Sequence, residues 1–100
     1  MLTLYEQLKS LLTSFGSDVY VKPTKRYYGF WHDTGNTSKV FAYVHVNPQS
    51  IDIDVKPALP LQSRVISEHY GKVCTRRISL RDATDLAEAK SLLRTCYQSR

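Results

Sequence analysis

Between residues 39 and 56 apolar and polar side chains alternate almost without a break: KVFAYVHVN, a turn at NPQS, then IDIDVK. A period of two is the signature of a strand with one buried face. It places Val40, Ala42, Val44 and Val46 on one side, and Phe41, Tyr43 and His45 on the other. In the next run Ile51, Ile53 and Val55 oppose Asp52 and Asp54. Upstream, DVYVKP (18–23) reads as a short strand that Pro23 confines to an edge, because proline has no N–H to donate to a ladder. RYYGFWH (26–32) reads as a second strand, since aromatic side chains suit a pleated surface. The turn cluster DTGNTS (33–38) then makes a hairpin with the strand that follows. Together these runs predict an antiparallel meander with one strongly apolar face.

The ends of the chain carry the other period. Leu4, Leu8, Leu11, Leu12 and Phe15 recur at helical spacing over 3–14, with Thr3 and Glu6 spaced as a capping box and Gly16 as a stop. Near the C-terminus Asp82 is a good helix cap, and Asp85 suits the positive helix start. Leu86, Ala89, Leu93, Cys96 and Tyr97 form the buried stripe of that last helix. Between them, PALPLQ (57–62) breaks the meander, LQSRVISEHYG (61–71) reads as a short helix, and KVCTRRISL (72–80) as a further strand. The order predicts an α+β domain, a mainly antiparallel sheet of about five strands with N- and C-terminal helices packed on one face. A chain of 100 residues makes this a single domain, 1–100. Leu8, Leu12, Val44, Ile53 and Leu93 are its predicted core.

The succession of an N-terminal helix, YYGF, KVFAYVHV, IDIDVKP and TRRISLRDATDLAEAKSLLRTCYQ resembles a small uncharacterised bacterial domain, sometimes labelled a predicted transport protein. That domain occurs alone or at the C-terminal end of larger proteins, some with restriction-endonuclease-like parts. The resemblance runs over most of the chain. It implies the same α+β fold and an association with nucleic-acid handling and bacterial defence, with no catalytic motif to carry over. The GFWHDTGNTS region is longer than the family pattern, and the PALPL connection also departs from it.

Composition narrows the partners. No run of about 18 apolar residues exists, so no membrane partner is expected. MLTLYEQLKSLL lacks the basic start and small-residue cleavage site of a signal peptide. Cys74 and Cys96 have no CxxC spacing, so reduced packing cysteines in a cytoplasmic protein are expected. The formal charge of +5 favours acidic partners, nucleic acid first.

Catalytic constellations are thin. Asp33 followed by Asp54-Val55-Lys56 has the rough spacing of a metal-dependent nuclease, yet any alternating surface strand gives acid-x-Lys by chance. His32, His45 and His69 are scattered, and a metal site of His32, His45 and Asp52 has no spacing to support it. No nucleophile motif or phosphate-cradling glycine loop is present. Neither an enzyme nor a cofactor is therefore expected.

The densest chemistry lies in KRYYGFWHD (25–33). Alternation puts Tyr27 and Trp31 on one side and Tyr28 and Phe30 on the other. With Tyr43, the outward rings lie beside Lys22, Lys25, Arg26, Arg76 and Arg77. That combination suits a base-stacking platform, each stacked base contributing about 1–3 kcal/mol. Asp52 and Asp54 on the same face oppose phosphate. Rings that merely pack across strands would contribute about 0.2–1 kcal/mol per pair. A contiguous aromatic patch also suits protein docking or a homodimer. The reading is thus a non-catalytic domain contacting nucleic acid through a basic and aromatic sheet surface, accessory to a nuclease or defence system. The alternative is a small regulator, of phage or mobile-element type, that docks on a protein through the same rings.

Overall fold

The computed structural model describes residues 2–99. Helix α1 spans Leu2–Thr13 and is followed by strands β1 (Tyr20–Pro23), β2 (Tyr28–Asp33), β3 (Ser38–Val46) and β4 (Ile51–Val55). Strands β5 (Ile66–Glu68) and β6 (Arg76–Leu80) come next, and helix α2 (Ala83–Gln98) closes the fold. All six strands form one antiparallel sheet in the order β1-β2-β3-β4-β6-β5. The meander therefore holds, and Pro23 sits on the edge strand β1, paired with Tyr28.

Both helices pack on one face, which carries the core. Phe30, Ala42, Val44, Ile51, Ile53, Val55, Ile78 and Leu80 from the sheet, and Leu8, Leu12, Ala89 and Leu93 from the helices, are fully buried. Every predicted core residue is among them. Tyr5 of α1 lies against Tyr28, ring centroids 4.7 Å apart, so α1 covers the β2 end of the sheet.

Three expectations change. Segment 61–71 is not a helix; it supplies the edge strand β5. Its buried residues Val65 and Ile66 are neighbours in sequence, which makes no helical stripe. The open edge of β6 provides pairing instead, through Ile66–Ile78, Ser67–Arg77 and Glu68–Arg76. Arg64 and Ser63 tie this segment to α2 through Asp85 and Glu88.

Strand β3 does not alternate throughout. Phe30 pairs with Ala42 and Trp31 with Val40, so Phe41 is the extra residue of a β-bulge. A bulge reverses the facing of everything beyond it. Phe41 turns to the helix side, where it meets the rings of His32 and Tyr97, 5.1 and 5.5 Å away between centroids. Val40 moves to the opposite side, beside Trp31.

At the helix ends, Thr3 lies inside α1 rather than capping it. Gly16 is required for a close approach: a Cβ there would collide with the Tyr97 hydroxyl and the Asp18 carboxylate. That hydroxyl donates to Asp18 at 2.7 Å and ties α2 to the segment after α1. The α2 start is held from both sides of its N-cap, Asp82. The Asp85 N–H donates to Asp82 Oδ1 (3.0 Å) and the Arg81 N–H donates to Asp85 Oδ2 (2.8 Å).

Candidate functional site

The face of the sheet away from the helices carries the unusual chemistry. At its β1 end Tyr20 and Trp31 are register partners and their rings stack, 6.3 Å apart and within 14° of parallel. The Lys22 ammonium lies over both rings, 5.7 Å from Tyr20 and 5.0 Å from Trp31. Lys25 and Arg26 stand exposed in the β1–β2 turn. Thr24 fixes that turn: its hydroxyl accepts from the N–H groups of Arg26 and Tyr27, and both its hydroxyl and its N–H donate to the Tyr27 carbonyl. Tyr27 leads across the face, edge-on to Tyr43 at 5.2 Å and tilted against His45 at 5.8 Å.

At the centre lies Asp54, only 6% exposed. Arg77 Nε donates to its Oδ1 at 2.7 Å and Nη2 to its Oδ2 at 3.1 Å, a bidentate pair. Two imidazoles address the same carboxylate: Nε2 of His45 and of His69 lie 3.3 and 3.6 Å from Oδ2. Burial pushes the Asp54 carboxyl up. The Arg77 hydrogen bonds and charge, with smaller pulls from His69 and His45, outweigh this and hold it below the ordinary value. The neighbouring carboxylate is also engaged, Asp52 accepting from Asn47 Nδ2 (3.0 Å) and the Ser79 hydroxyl (2.8 Å).

Beside Asp54 the face sinks into a concavity of about 500 Å³, walled by Tyr27, Tyr43, His45 and His69, with Arg26 and Lys72 among its lining residues. Cys74 also lines it. Burial, with the Asp54 charge adding, pushes that thiol up to about 11, so it is a neutral wall at physiological pH. The loop after His69 is shaped to the ring: a Cβ on Gly71 would come within 2.7 Å of His69 Nε2.

The fold thus gathers Lys22, Lys25, Arg26, Tyr27, Trp31 and Tyr43 on or beside one face. Arg77 belongs to that face but is held by Asp54. Arg76 does not belong to it. It pairs with Val55, in line with the core positions of β4, and its Nε and Nη1 donate to the carbonyls of Leu59 (2.8 Å) and Thr75 (3.0 Å). Tyr20 and the Asp54–His45–His69 group were not singled out from sequence. Alternation had placed His45 on this face and could have supplied Tyr20; no local signal marks His69. The nuclease pattern does not assemble. Asp33 lies at the β2–β3 turn opposite Ser38, whereas Asp54 lies in the row of Tyr43 and Gly29, toward the other end of β2. Among the described residues no group of three or more His, Cys, Asp or Glu is placed to hold a metal ion. Nor is any helix among them long and apolar enough to cross a membrane.

Neither the curated proteins nor the solved structures contain a match to the chain. A family model does match, over residues 1–100, and its description is "Domain of unknown function (DUF5655)". The helix–meander–helix pattern that suggested a small uncharacterised domain thus has its counterpart, and the chain belongs to the DUF5655 family.

Proposed function

We propose that this is a non-catalytic binding domain whose open sheet face takes single-stranded nucleic acid. Bases stack on the rings of Tyr20, Trp31, Tyr27 and Tyr43, and phosphates lie along Lys22, Lys25 and Arg26. The observation that carries the reading is the Lys22 ammonium over the paired Tyr20 and Trp31 rings, beside two exposed cations on a braced turn. The sequence-level objection weakens as well. Asp54 is offset by Arg77, and Asp52 is occupied by Asn47 and Ser79. An accessory role beside a nuclease or in a defence system accords with the family resemblance.

The test is a salt titration with a fluorescent single strand and the matching duplex, read also through Trp31, the only tryptophan. Binding should quench Trp31 and weaken with salt, because phosphate contacts release counterions. Lys25→Ala with Arg26→Ala should flatten the slope of log K against log salt by about 0.7 per lost single-strand contact. Trp31→Ala should weaken binding and leave the slope unchanged. No binding tighter than about millimolar at low salt, where even non-specific binding is far stronger, would remove the reading. A protein-docking surface formed by the same rings would then take its place.

A further inference from the structure

The concavity at Asp54 has a chemistry of its own. A single buried carboxylate oxygen is faced by the Nε2 atoms of two imidazoles that come from different parts of the chain, β3 and the loop after β5. The facing groups can be taken element by element. Asp54 comes from β4, Arg77 from β6, His45 and Tyr43 from β3, Arg26 and Tyr27 from the β1–β2 turn, and His69, Lys72 and Cys74 from the loop between β5 and β6. Arg77 offsets Asp54, and the Cys74 thiol is neutral. The other charges lining the concavity, Arg26 and Lys72, are both positive, and against them stands Asp52, the register partner of His45, which accepts only from the neutral Asn47 and Ser79.

The two Nε2 atoms stand at ion-pair distance from Asp54, and an imidazole has one donor and one acceptor nitrogen when neutral and two donors when protonated. Imidazole is the side chain that changes charge between about pH 5 and 8. Protonation of both rings would therefore convert two acceptors into two charged donors beside the two cations Arg26 and Lys72, which outnumber the one unoffset carboxylate, Asp52. The ligand favoured by such a wall is a compact anion with several acceptor oxygens, and the rings of Tyr27 and Tyr43 offer an aromatic neighbour. Gly71 shows that the loop accommodates the His69 ring in this position, since any side chain there would displace it.

We infer that the concavity at Asp54 is a phosphate-monoester site, in which His45 and His69, gathered beside Asp54, bind the phosphate with Arg26 and Lys72. A free nucleotide and the 5′-phosphate end of a strand present the same group. The strand end as its source rests on the nucleic-acid reading above; the phosphate site itself rests on other atoms.

The experiment follows the three histidine C2–H proton resonances of the intact protein by NMR during titration with inorganic phosphate and with adenosine 5′-monophosphate, at pH 6. His45→Gln and His69→Gln assign the signals, and buried His32 serves as the internal control. Both ligands should shift His45 and His69 saturably at pH 6 and leave His32 in place. Gly71→Ala, which displaces the His69 ring while leaving the core untouched, should weaken binding several-fold with an unchanged melting temperature.

A 5′-phosphorylated oligonucleotide binding several-fold tighter than its 5′-hydroxyl twin supports the site and assigns it a strand end. Equal binding of the twins, with adenosine monophosphate still shifting both histidines, supports the site and assigns it a free nucleotide. Unmoved His45 and His69 signals at pH 6 with about 10 mM of either ligand, well into the weak-binding range, would overturn the inference. Trp31 quenching by the 5′-hydroxyl strand reads the other end of the face, so either idea can fail while the other stands.

Discussion

Strand β4 shows the two faces of this sheet within five residues. Ile51, Ile53 and Val55 point into the helices and are fully buried; Asp52 and Asp54, between them, point the other way and are held by specific polar partners. The first set is stabilised by area removed from water, which depends little on the identity of the neighbour. The second is stabilised by directed bonds, and each needs its own partner at its own distance. The open face therefore gains little from hydrophobic burial beneath its polar row, and its composition is available for binding. Tyr27 and Tyr43 beside Asp54, Tyr20 and Trp31 toward the β1 edge, and the cations of the β1–β2 turn are what the face presents.

The comparison breaks most sharply by truncation on the covered side. Ile53→Ala and Leu93→Ala each remove methylene groups from fully buried sites and should cost about 2–5 kcal/mol. Thermal melting monitored by circular dichroism should show midpoints lower by roughly 4–8 °C per kcal/mol for a domain of this size. Unchanged melting of either variant would mean that the helix-covered face is not the core. Trp31→Ala, on the open face, should melt much closer to the wild type.

Next in size is the ion pair of Asp54 and Arg77. Removing one partner of a fully buried pair costs about 3–5 kcal/mol. Arg77 is a third exposed, so solvent screens the pair and about 1–2 kcal/mol is expected for Arg77→Met in urea unfolding. The double variant Asp54→Asn, Arg77→Met should recover part of that loss. The pH dependence has a definite sign. A carboxyl held below its unfolded value of about 4 adds stability above that pH, and the stability is lost as the pH falls through the lower folded value. Asp18 and Asp85 are lowered too, Asp18 mainly by the Tyr97 hydroxyl and Asp85 mainly by the Arg81 N–H, so the acid limb is shared. Asp54→Asn should flatten it below about pH 4 without removing it. An acid limb identical to the wild type would show that Asp54 is not held charged in the folded state.

Most of the architecture was legible because both faces write the same period. The alternation of 51–55 and the stripe Leu4–Leu8–Leu12 are local patterns that local structure obeys. Two kinds of feature were not local. The bulge at Phe41 leaves KVFAYVHV looking fully regular, because only the partner strand reveals that Trp31 faces Val40. Strand β5 depends on an edge of β6 that forms later in the chain. At the candidate site, Lys22, Tyr27, Trp31 and Tyr43 were legible from alternation. Arg76 and Arg77 could have been separated by the same rule, since adjacent strand residues face opposite ways. His69 was hidden, for its approach to Asp54 depends on a loop whose only sequence mark is a single glycine.

The smallest expected effect tests the finest distinction, that between the two carboxylates of β4. Asp52 and Asp54 share a face, two residues apart, yet their surroundings differ in kind. Asp52 accepts from two neutral donors, Asn47 Nδ2 and the Ser79 hydroxyl, and remains partly exposed. In Asp52→Asn the amide oxygen can still accept from Ser79. The new NH2 then faces Asn47, whose own amide can rotate to present its oxygen. Both bonds survive in altered form, so stability should stay within about 0.5 kcal/mol of the wild type. Asp54→Asn has no such exit, because an NH2 group would face the Arg77 guanidinium, which has no acceptor to offer. Urea unfolding of the two single variants side by side is the measurement. A loss at Asp52 equal to that at Asp54 would mean that the open face is held by its carboxylates as a row, and the distinction drawn here between a neutral bracket and a charged centre would fall.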